Sequence, residues 1–115
     1  MTISRIIEVL EARLLTKGAD CTREVHTACG SDMMSDVLAY VKDQAVLLTG
    51  LNNPQVVRTA DMMDMICIVF VRGKCPDDML LALAEERGIA VMATDKTMFT
   101  ACGLLYSEGL RGGVG

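Results

Sequence analysis

The stretch Ala45–Thr94 contains three short apolar runs, AVLLT at 45–49, ICIVFV at 66–71 and AVMAT at 90–94. None of them alternates apolar with polar residues, which is typical of strands that are buried on both faces. A turn and an amphipathic segment follow each run, and this alternation indicates a parallel sheet covered by helices. The sequence therefore predicts an α/β fold, a three-layer sandwich in which a mainly parallel sheet of about 4–5 strands carries helices on both faces.

The two helices inside this stretch have recognisable ends. Pro54 and Pro76 each follow a strand by a few residues, and proline is favoured in the first turn of a helix because its missing N–H would be unpaired there anyway. Asn53 is the expected N-cap of the first of these helices. Arg87-Gly88 is expected to end the second, since a cation suits a helix C-terminus and glycine adopts the left-handed conformation that often follows it.

Helical periodicity predicts two further helices before the first strand. Thr2 or Ser4 is the expected cap of the first, whose apolar stripe consists of Ile3, Ile6, Ile7, Leu10 and Leu14. Ser31 or Asp32 is expected to open the second, whose stripe consists of Met33, Met34, Val37, Leu38 and Val41. Both patterns place one apolar face against the sheet.

A last helix and two weaker extended segments complete the prediction. Thr94 or Asp95 is the expected cap of the helix, Gly109 its end, and its buried stripe consists of Met98, Phe99, Cys102, Leu105 and Tyr106. Leu14–Thr16 is predicted to be a short extended piece. Thr22–Ala28 alternates loosely and is a second candidate strand.

Size and composition limit the class of protein. The 115 residues suit one domain, which we expect to cover residues 1–110, with 111–115 as a flexible glycine-rich tail. A net charge of −4 argues against a nucleic-acid partner, because binding a phosphate backbone requires a basic surface. Five cysteines without a CxxC pair and the lack of a long apolar segment predict a cytoplasmic protein with reduced thiols and no membrane association.

The predicted parallel strands bring polar residues together at one rim of the sheet, where ligands of α/β domains usually bind. Helix N-termini, cationic turns and hydroxyl groups there favour a small anion such as a phosphate or a nucleotide. The candidate ligand-binding residues are Thr49, Asn52, Arg72, Gly73, Lys74 and Thr94. Turns between strands and helices are also rich in such residues for capping alone, so the composition of the rim has a purely structural explanation too.

The motifs of several enzyme classes are missing. The sequence contains neither GxxxxGK[ST] nor GxGxxG, which sets aside a P-loop kinase and a dinucleotide-dependent dehydrogenase. We assign no catalytic residue, no cofactor and no metal site. A small thiol enzyme based on Cys75, or a metal enzyme based on Cys21, His26 and Cys29, remains a third alternative, although that spacing matches no common zinc motif.

Nearly the whole chain, from about residue 3 to 110, resembles the small stand-alone proteins of the DRTGG-domain family. The segments that carry this resemblance are TREV at 22–25, GSDMMSDVL at 30–38, LT at 48–49, NPQVV at 53–57, AEERGI at 84–89 and GLLY at 103–106. The resemblance implies an α/β domain similar to the N-terminal domain of HPr kinase/phosphorylase and to a domain of phosphotransacetylases and some CBS-containing pyrophosphatases. In those proteins it implies a regulatory or assembly role rather than chemistry of its own.

These observations lead to two functional hypotheses. The first is a non-enzymatic regulatory or ligand-sensing module that binds a small anion at the rim. The second is an interaction or assembly module that docks a partner enzyme of redox or phosphotransfer function. Adjacent methionines such as Met33 and Met34 cannot both face inward on a helix, so we also expect an apolar surface that forms a homodimer.

Overall fold

The computed structural model describes residues 1–39 and 43–112. Five helices and five strands alternate along this part of the chain. In order they are α1 (Ile3–Leu10), β1 (Arg13–Leu14), β2 (Thr27–Gly30), α2 (Met34–Leu38), β3 (Ala45–Thr49), α3 (Gln55–Met62), β4 (Cys67–Phe70), α4 (Asp78–Glu86), β5 (Ala90–Ala93) and α5 (Met98–Ser107).

The strands form one mixed sheet in the order β1-β5-β4-β3-β2. Strands β2 to β5 are parallel to one another, and the short β1 runs antiparallel to β5 along one edge. The three apolar runs of the sequence correspond to β3, β4 and β5, and every residue of these strands is buried. The predicted α/β fold with a mainly parallel sheet is therefore confirmed.

Helices cover both faces of the sheet because alternate residues of each strand point to opposite sides. On one face, α1 and α5 pack against residues such as Val46, Val69 and Met92. On the other, α2, α3 and α4 pack against residues such as Leu47, Ile68 and Val91. This arrangement leaves the two ends of the strands uncovered by helices. No helix in the described ranges has the length and apolar character needed to cross a bilayer.

Most of the predicted helix ends are confirmed. The hydroxyl of Thr2 accepts the N–H of Arg5 at the start of α1, at 3.1 Å, and Asn53 Oδ1 accepts the N–H of Gln55 at the start of α3, at 2.8 Å. Helix α4 ends at Arg87, and Gly88 follows with a φ of 70°. The prediction that the α1 stripe includes Leu14 is wrong, because α1 stops at Leu10 and Leu14 lies in β1 with its side chain exposed.

Helix α2 is not capped as predicted. Neither Ser31 nor Asp32 caps it; the N-cap position is Met33, which makes no side-chain capping hydrogen bond. The Ser31 hydroxyl instead accepts the N–H of Met33 at 3.0 Å, and Asp32 bonds to a different loop. The predicted stripe residue Val41 lies outside the described residues, and Val37 is the buried residue of α2.

Helix α5 also differs from the prediction at its start and on its surface. Its cap is Thr97, whose hydroxyl accepts the N–H of Thr100, and neither Thr94 nor Asp95 takes this position. Phe99 and Tyr106 were predicted to be buried, but they are 88% and 61% exposed. The buried side of α5 instead carries Ala101 and Leu105, because the helix turns a neighbouring face toward the sheet.

Strand β2 lies at the edge of the sheet and begins later than predicted. Residues 22–26 form no strand apart from a single bridge at Glu24, and β2 itself covers Thr27–Gly30. The backbone of Arg111 pairs beside it, since the Ala28 N–H donates to the Arg111 carbonyl oxygen at 2.9 Å. The predicted flexible tail thus begins at a residue that is paired with β2, and residues 113–115 of that tail lie outside the described residues.

Candidate functional site

The carboxyl ends of the four parallel strands lie together and form one rim, as the topology requires. Hydrogen bonds between backbone groups tie the exit loops to one another. The N–H groups of Arg72 and Gly73 donate to the carbonyl oxygens of Lys96, at 2.8 Å, and Thr94, at 2.9 Å. The exits of β4 and β5 therefore form a single hydrogen-bonded corner.

The loop after β4 is a tight turn with an unusual backbone. Arg72 and Gly73 both have left-handed angles, φ 59° and 68°, and the Lys74 N–H donates to the Val71 carbonyl oxygen at 3.2 Å, as in a type I′ turn. Glycine adopts this conformation readily, whereas Arg72 does so at a cost. Such outliers are concentrated at functional sites, which makes this turn a reasonable place to look for one.

The side chain of Arg72 crosses the rim to the exit of β3. Its guanidinium group packs over Gly50, where a Cβ atom would collide with it. Its Nη2 atom lies 3.8 Å from Oδ2 of Asp32, and 51% of the side chain is exposed. Arg72 therefore presents an accessible cation at the point where three exit loops meet.

Asp32 lies at the centre of the rim, and the sequence analysis did not include it among the site residues. Its Oδ1 atom accepts the N–H of Gly50 at 2.6 Å and the hydroxyl of Thr49 at 3.0 Å. Asp32 follows the last residue of β2, Gly30, by two positions. A correct prediction of where β2 ends would have placed Asp32 at the rim instead of at a helix cap.

Two of the predicted site residues are buried and already hydrogen-bonded. Besides donating to Asp32, the Thr49 hydroxyl accepts the N–H of Leu51 at 3.1 Å. The Thr94 hydroxyl donates to the Leu10 carbonyl oxygen at 2.7 Å and accepts the N–H of Lys96 at 3.3 Å. Because both threonines are fully buried, they hold the loops in place and do not present their hydroxyl groups to a ligand.

The other predicted site residues belong to the surface of the rim. Asn52 is exposed, and its Nδ2 atom donates to the Cys75 carbonyl oxygen at 3.1 Å, which links the exits of β3 and β4. Gly73 and Lys74 are exposed in the turn described above. The structure thus brings all six predicted residues to one rim, but the exposed polar side chains among them are those of Asn52, Arg72 and Lys74.

A cleft of about 410 Å³ opens beside Arg72 and Asp32. It lies between the exit of β2, the exit of β4 and the start of α5. Its lining residues are Gly30, Ser31, Asp32, Val71, Arg72, Thr97, Met98 and Phe99. One side of the cleft is therefore charged and the other is apolar, which suits a ligand with an anionic group attached to an apolar body.

The residues proposed for a thiol or metal enzyme are not assembled into a site. Cys75 lies at the carboxyl ends of the strands, whereas His26 lies near their amino ends, where its Nδ1 atom is 3.1 Å from Asp43 Oδ2. Cys21 and Cys29 pack on opposite faces of the sheet. Within the described ranges, no group of three or more histidine, cysteine or acidic residues is placed to hold a metal ion.

A second cleft, of about 240 Å³, lies near the amino ends of β4 and β5. Charged residues line it, but they are engaged with their neighbours: the Lys17 N–H donates to Glu85 Oε2 at 2.7 Å, and Arg23 donates to the Gly88 carbonyl oxygen at 3.2 Å. The pKa of Asp20 is lowered, first of all by the hydroxyl group of Thr22. This end of the sheet provides charged residues for comparison with those of the rim.

Comparison with known proteins identifies the same family as the sequence. Residues 5–107 match the DRTGG domain family, and none of the curated proteins matches the chain. A similar solved structure is that of the CBS and DRTGG domains of the regulatory region of Clostridium perfringens pyrophosphatase, complexed with its activator, diadenosine tetraphosphate. The two chains are 17% identical with a TM-score of 0.75, over 90% of this chain and 45% of the other. This chain thus matches less than half of that regulatory region, and the similarity shows a shared fold.

Proposed function

The chain belongs to the DRTGG domain family, and on that basis we propose that it is a non-catalytic regulatory module that senses a small anion at the rim. The observation that carries this proposal is the position of Arg72, an exposed cation at the meeting point of three exit loops and beside a cleft. A regulatory role also agrees with the similar solved structure, which is a regulatory region bound to a nucleotide activator.

Arg72 is suited to bind a phosphate or carboxylate group. Its guanidinium group offers several N–H donors in one plane, and such groups bind oxyanions with paired hydrogen bonds. Its ion-pair partner, Asp32, lies at 3.8 Å, which is longer than a direct hydrogen bond. Lys74 supplies a second exposed cation two residues further along the same turn. Together they favour an anion over a neutral or cationic ligand.

The arrangement of reactive groups supports a role without catalysis. The rim hydroxyls of Thr49 and Thr94 are buried and hydrogen-bonded, so neither is placed to act as a nucleophile. The one histidine of the chain, His26, is separated from Cys75 by the length of the strands. A general base and a nucleophile within hydrogen-bonding distance are what covalent catalysis requires.

The ligand is tested by thermal denaturation with inorganic phosphate, nucleotides and phosphorylated sugars. We expect at least one class to raise the melting temperature of the wild-type protein, and we expect Arg72→Ala or Lys74→Ala to abolish the shift, because each removes a rim cation. Lys17→Ala is the matched control, since Lys17 is also exposed but lies at the other end of the sheet. The absence of any shift, or equal loss in the control, would contradict an anion site at the rim.

A second candidate function is protein assembly. Large apolar side chains are exposed near the rim, with Met33 61% and Phe99 88% accessible, and exposed apolar groups favour association when they are close together. The module would then form a homodimer or dock a partner enzyme of redox or phosphotransfer function. Purification of the tagged protein from native extract separates the two proposals: a stoichiometric heterologous complex whose rim binds no anion favours assembly.

A further inference from the structure

The carboxylate of Asp32 takes the position that an anion would take at the rim. It is held by the three kinds of donor that commonly bind oxyanions in proteins, a backbone N–H, a hydroxyl group and a guanidinium group. These belong to Gly50 at 2.6 Å, Thr49 at 3.0 Å and Arg72 at 3.8 Å. The site that we propose for a ligand therefore already contains a negative charge from the chain itself.

Asp32 is well placed to leave this position. Its side chain is 50% exposed, so the carboxylate can return to water without crossing the core. It belongs to the short loop between β2 and α2, a helix of only five residues. The start of that helix does not depend on it, because the Met33 N–H donates to the Ser31 hydroxyl instead. The loss on leaving is limited to the contacts with Thr49, Gly50 and Arg72.

Space for a ligand exists next to the carboxylate. Asp32 and Arg72 form the charged side of the 410 Å³ cleft, and Met98 and Phe99 form part of its apolar side. An anionic group that enters the cleft meets Arg72 first, because the donors on Gly50 and Thr49 are covered by Asp32. Complete binding therefore requires that Asp32 move away.

We infer that Asp32 is an internal competitor for the rim and that a phosphate group displaces it. This inference rests on the proposed function, since it requires that an anion bind beside Arg72. A phosphate monoester carries about −1.5 to −2 charges at neutral pH, more than one carboxylate, and so pairs more strongly with the guanidinium group. Displacement moves the loop that carries Met33, an exposed apolar residue, and in this way binding at the rim changes the surface of the module.

The test compares phosphate binding to wild-type protein and to Asp32→Asn, with inorganic phosphate as the probe in calorimetric or NMR titration. Asparagine keeps the shape and an acceptor oxygen but removes the competing charge, so we expect the variant to bind phosphate about tenfold more tightly. Asp36→Asn is the matched control, because it removes an equal charge from an exposed residue of α2 and should leave the affinity near that of the wild type.

Wild-type protein provides a second measurement that does not depend on the folding of a variant. Displacement of Asp32 predicts that saturating phosphate shifts the Gly50 amide resonance and the Asp32 side-chain carboxyl resonance. If phosphate binds but these resonances stay in place, or if Asp32→Asn binds no more tightly than the wild type, the competitor role is wrong and the anion site stands. If neither protein binds phosphate or any other anion of the thermal panel, the proposed function fails as well.

Discussion

Two buried threonine hydroxyls of this protein differ in their hydrogen bonding. Thr94 Oγ1 donates to the Leu10 carbonyl oxygen at 2.7 Å and so joins the exit of β5 to the end of α1. Thr59 Oγ1 is fully buried in α3 and has no hydrogen-bond partner among the described residues. An unpaired buried hydroxyl costs free energy, whereas a paired one contributes to stability. The same residue type therefore has opposite effects at the two positions.

Replacing each of these threonines by valine tests this difference, because valine has the same shape without the hydroxyl group. Thr94→Val leaves the Leu10 carbonyl oxygen without its donor, and we expect a loss of about 1–3 kcal/mol in the free energy of unfolding. Thr59→Val removes an unpaired polar group, and we expect unchanged stability or a gain of up to about 1 kcal/mol. Denaturation in urea measures both. Equal destabilisation by the two substitutions would contradict the hydrogen-bond assignment.

At the scale of a single element, α5 is the helix whose surface best supports association. It packs on the sheet through Ala101 and Leu105 and turns Phe99 and Tyr106 outward. The Tyr106 ring is covered by Arg111, whose guanidinium carbon lies 3.9 Å from the ring centroid. Phe99 has no comparable cover and stands beside the rim cleft. We therefore place the proposed homodimer contact at Phe99.

We expect Phe99→Ser to weaken self-association by at least about tenfold, because a large exposed aromatic side chain at the centre of an interface contributes much of its binding free energy. Sedimentation equilibrium over a range of protein concentrations measures this change. Met79→Ser is the control, since Met79 is similarly exposed, at 76%, but belongs to α4 on the other face of the sheet. A wild-type protein that stays monomeric at all concentrations would rule out the homodimer, and an equal effect of the control would place its contact elsewhere.

At the scale of the whole molecule, burial makes two thiols resist ionisation. Cys67 is completely buried in β4, and desolvation raises its pKa well above the ordinary value, with a smaller contribution from Cys21. Desolvation also raises the pKa of Cys102, with a smaller contribution from Cys29. In the unfolded chain these thiols ionise at about pH 8.5. The folded protein therefore retains protons that the unfolded chain releases.

This difference predicts that stability falls as the pH rises above about 8.5. Above that pH the unfolded chain binds fewer protons than the folded protein, so the free energy of unfolding decreases with pH, by up to about 1.4 kcal/mol per pH unit for Cys67. Urea denaturation between pH 7 and 10 measures the slope. Cys67→Ala should flatten it, whereas Cys75→Ala, which removes an exposed thiol, should not. An unchanged slope in Cys67→Ala would contradict this explanation.

The sequence predicted the centre of the fold more accurately than its surface. The predicted run at residues 45–49 is β3 with both of its ends, and the other two runs contain β4 and β5. These strands are buried on both faces, so their residues must be apolar and the pattern is unambiguous. Strand β2 lies at an edge and is only partly buried. Its residues are under weaker constraint, which is why its bounds were predicted poorly.

The errors at the candidate site have a common physical cause. Asp32 and Thr94 were predicted to cap helices, because short polar side chains often bond to the backbone next to them. Both instead bond to residues far away in the chain, Asp32 to Gly50 and Thr94 to Leu10. Local and distant partners compete for the same oxygen atom, and a single sequence describes only the local ones.

The sequence by itself determined three parallel strands with their exits at one rim, because buried strands and the helices between them leave a periodic pattern of apolar residues. The tertiary structure alone decided which of the rim side chains meet solvent. It buried Thr49 and Thr94, left Arg72 half-exposed and placed Asp32 against it. Exposure and hydrogen-bond partners depend on loops brought together from distant parts of the chain, and no local pattern encodes where those loops meet.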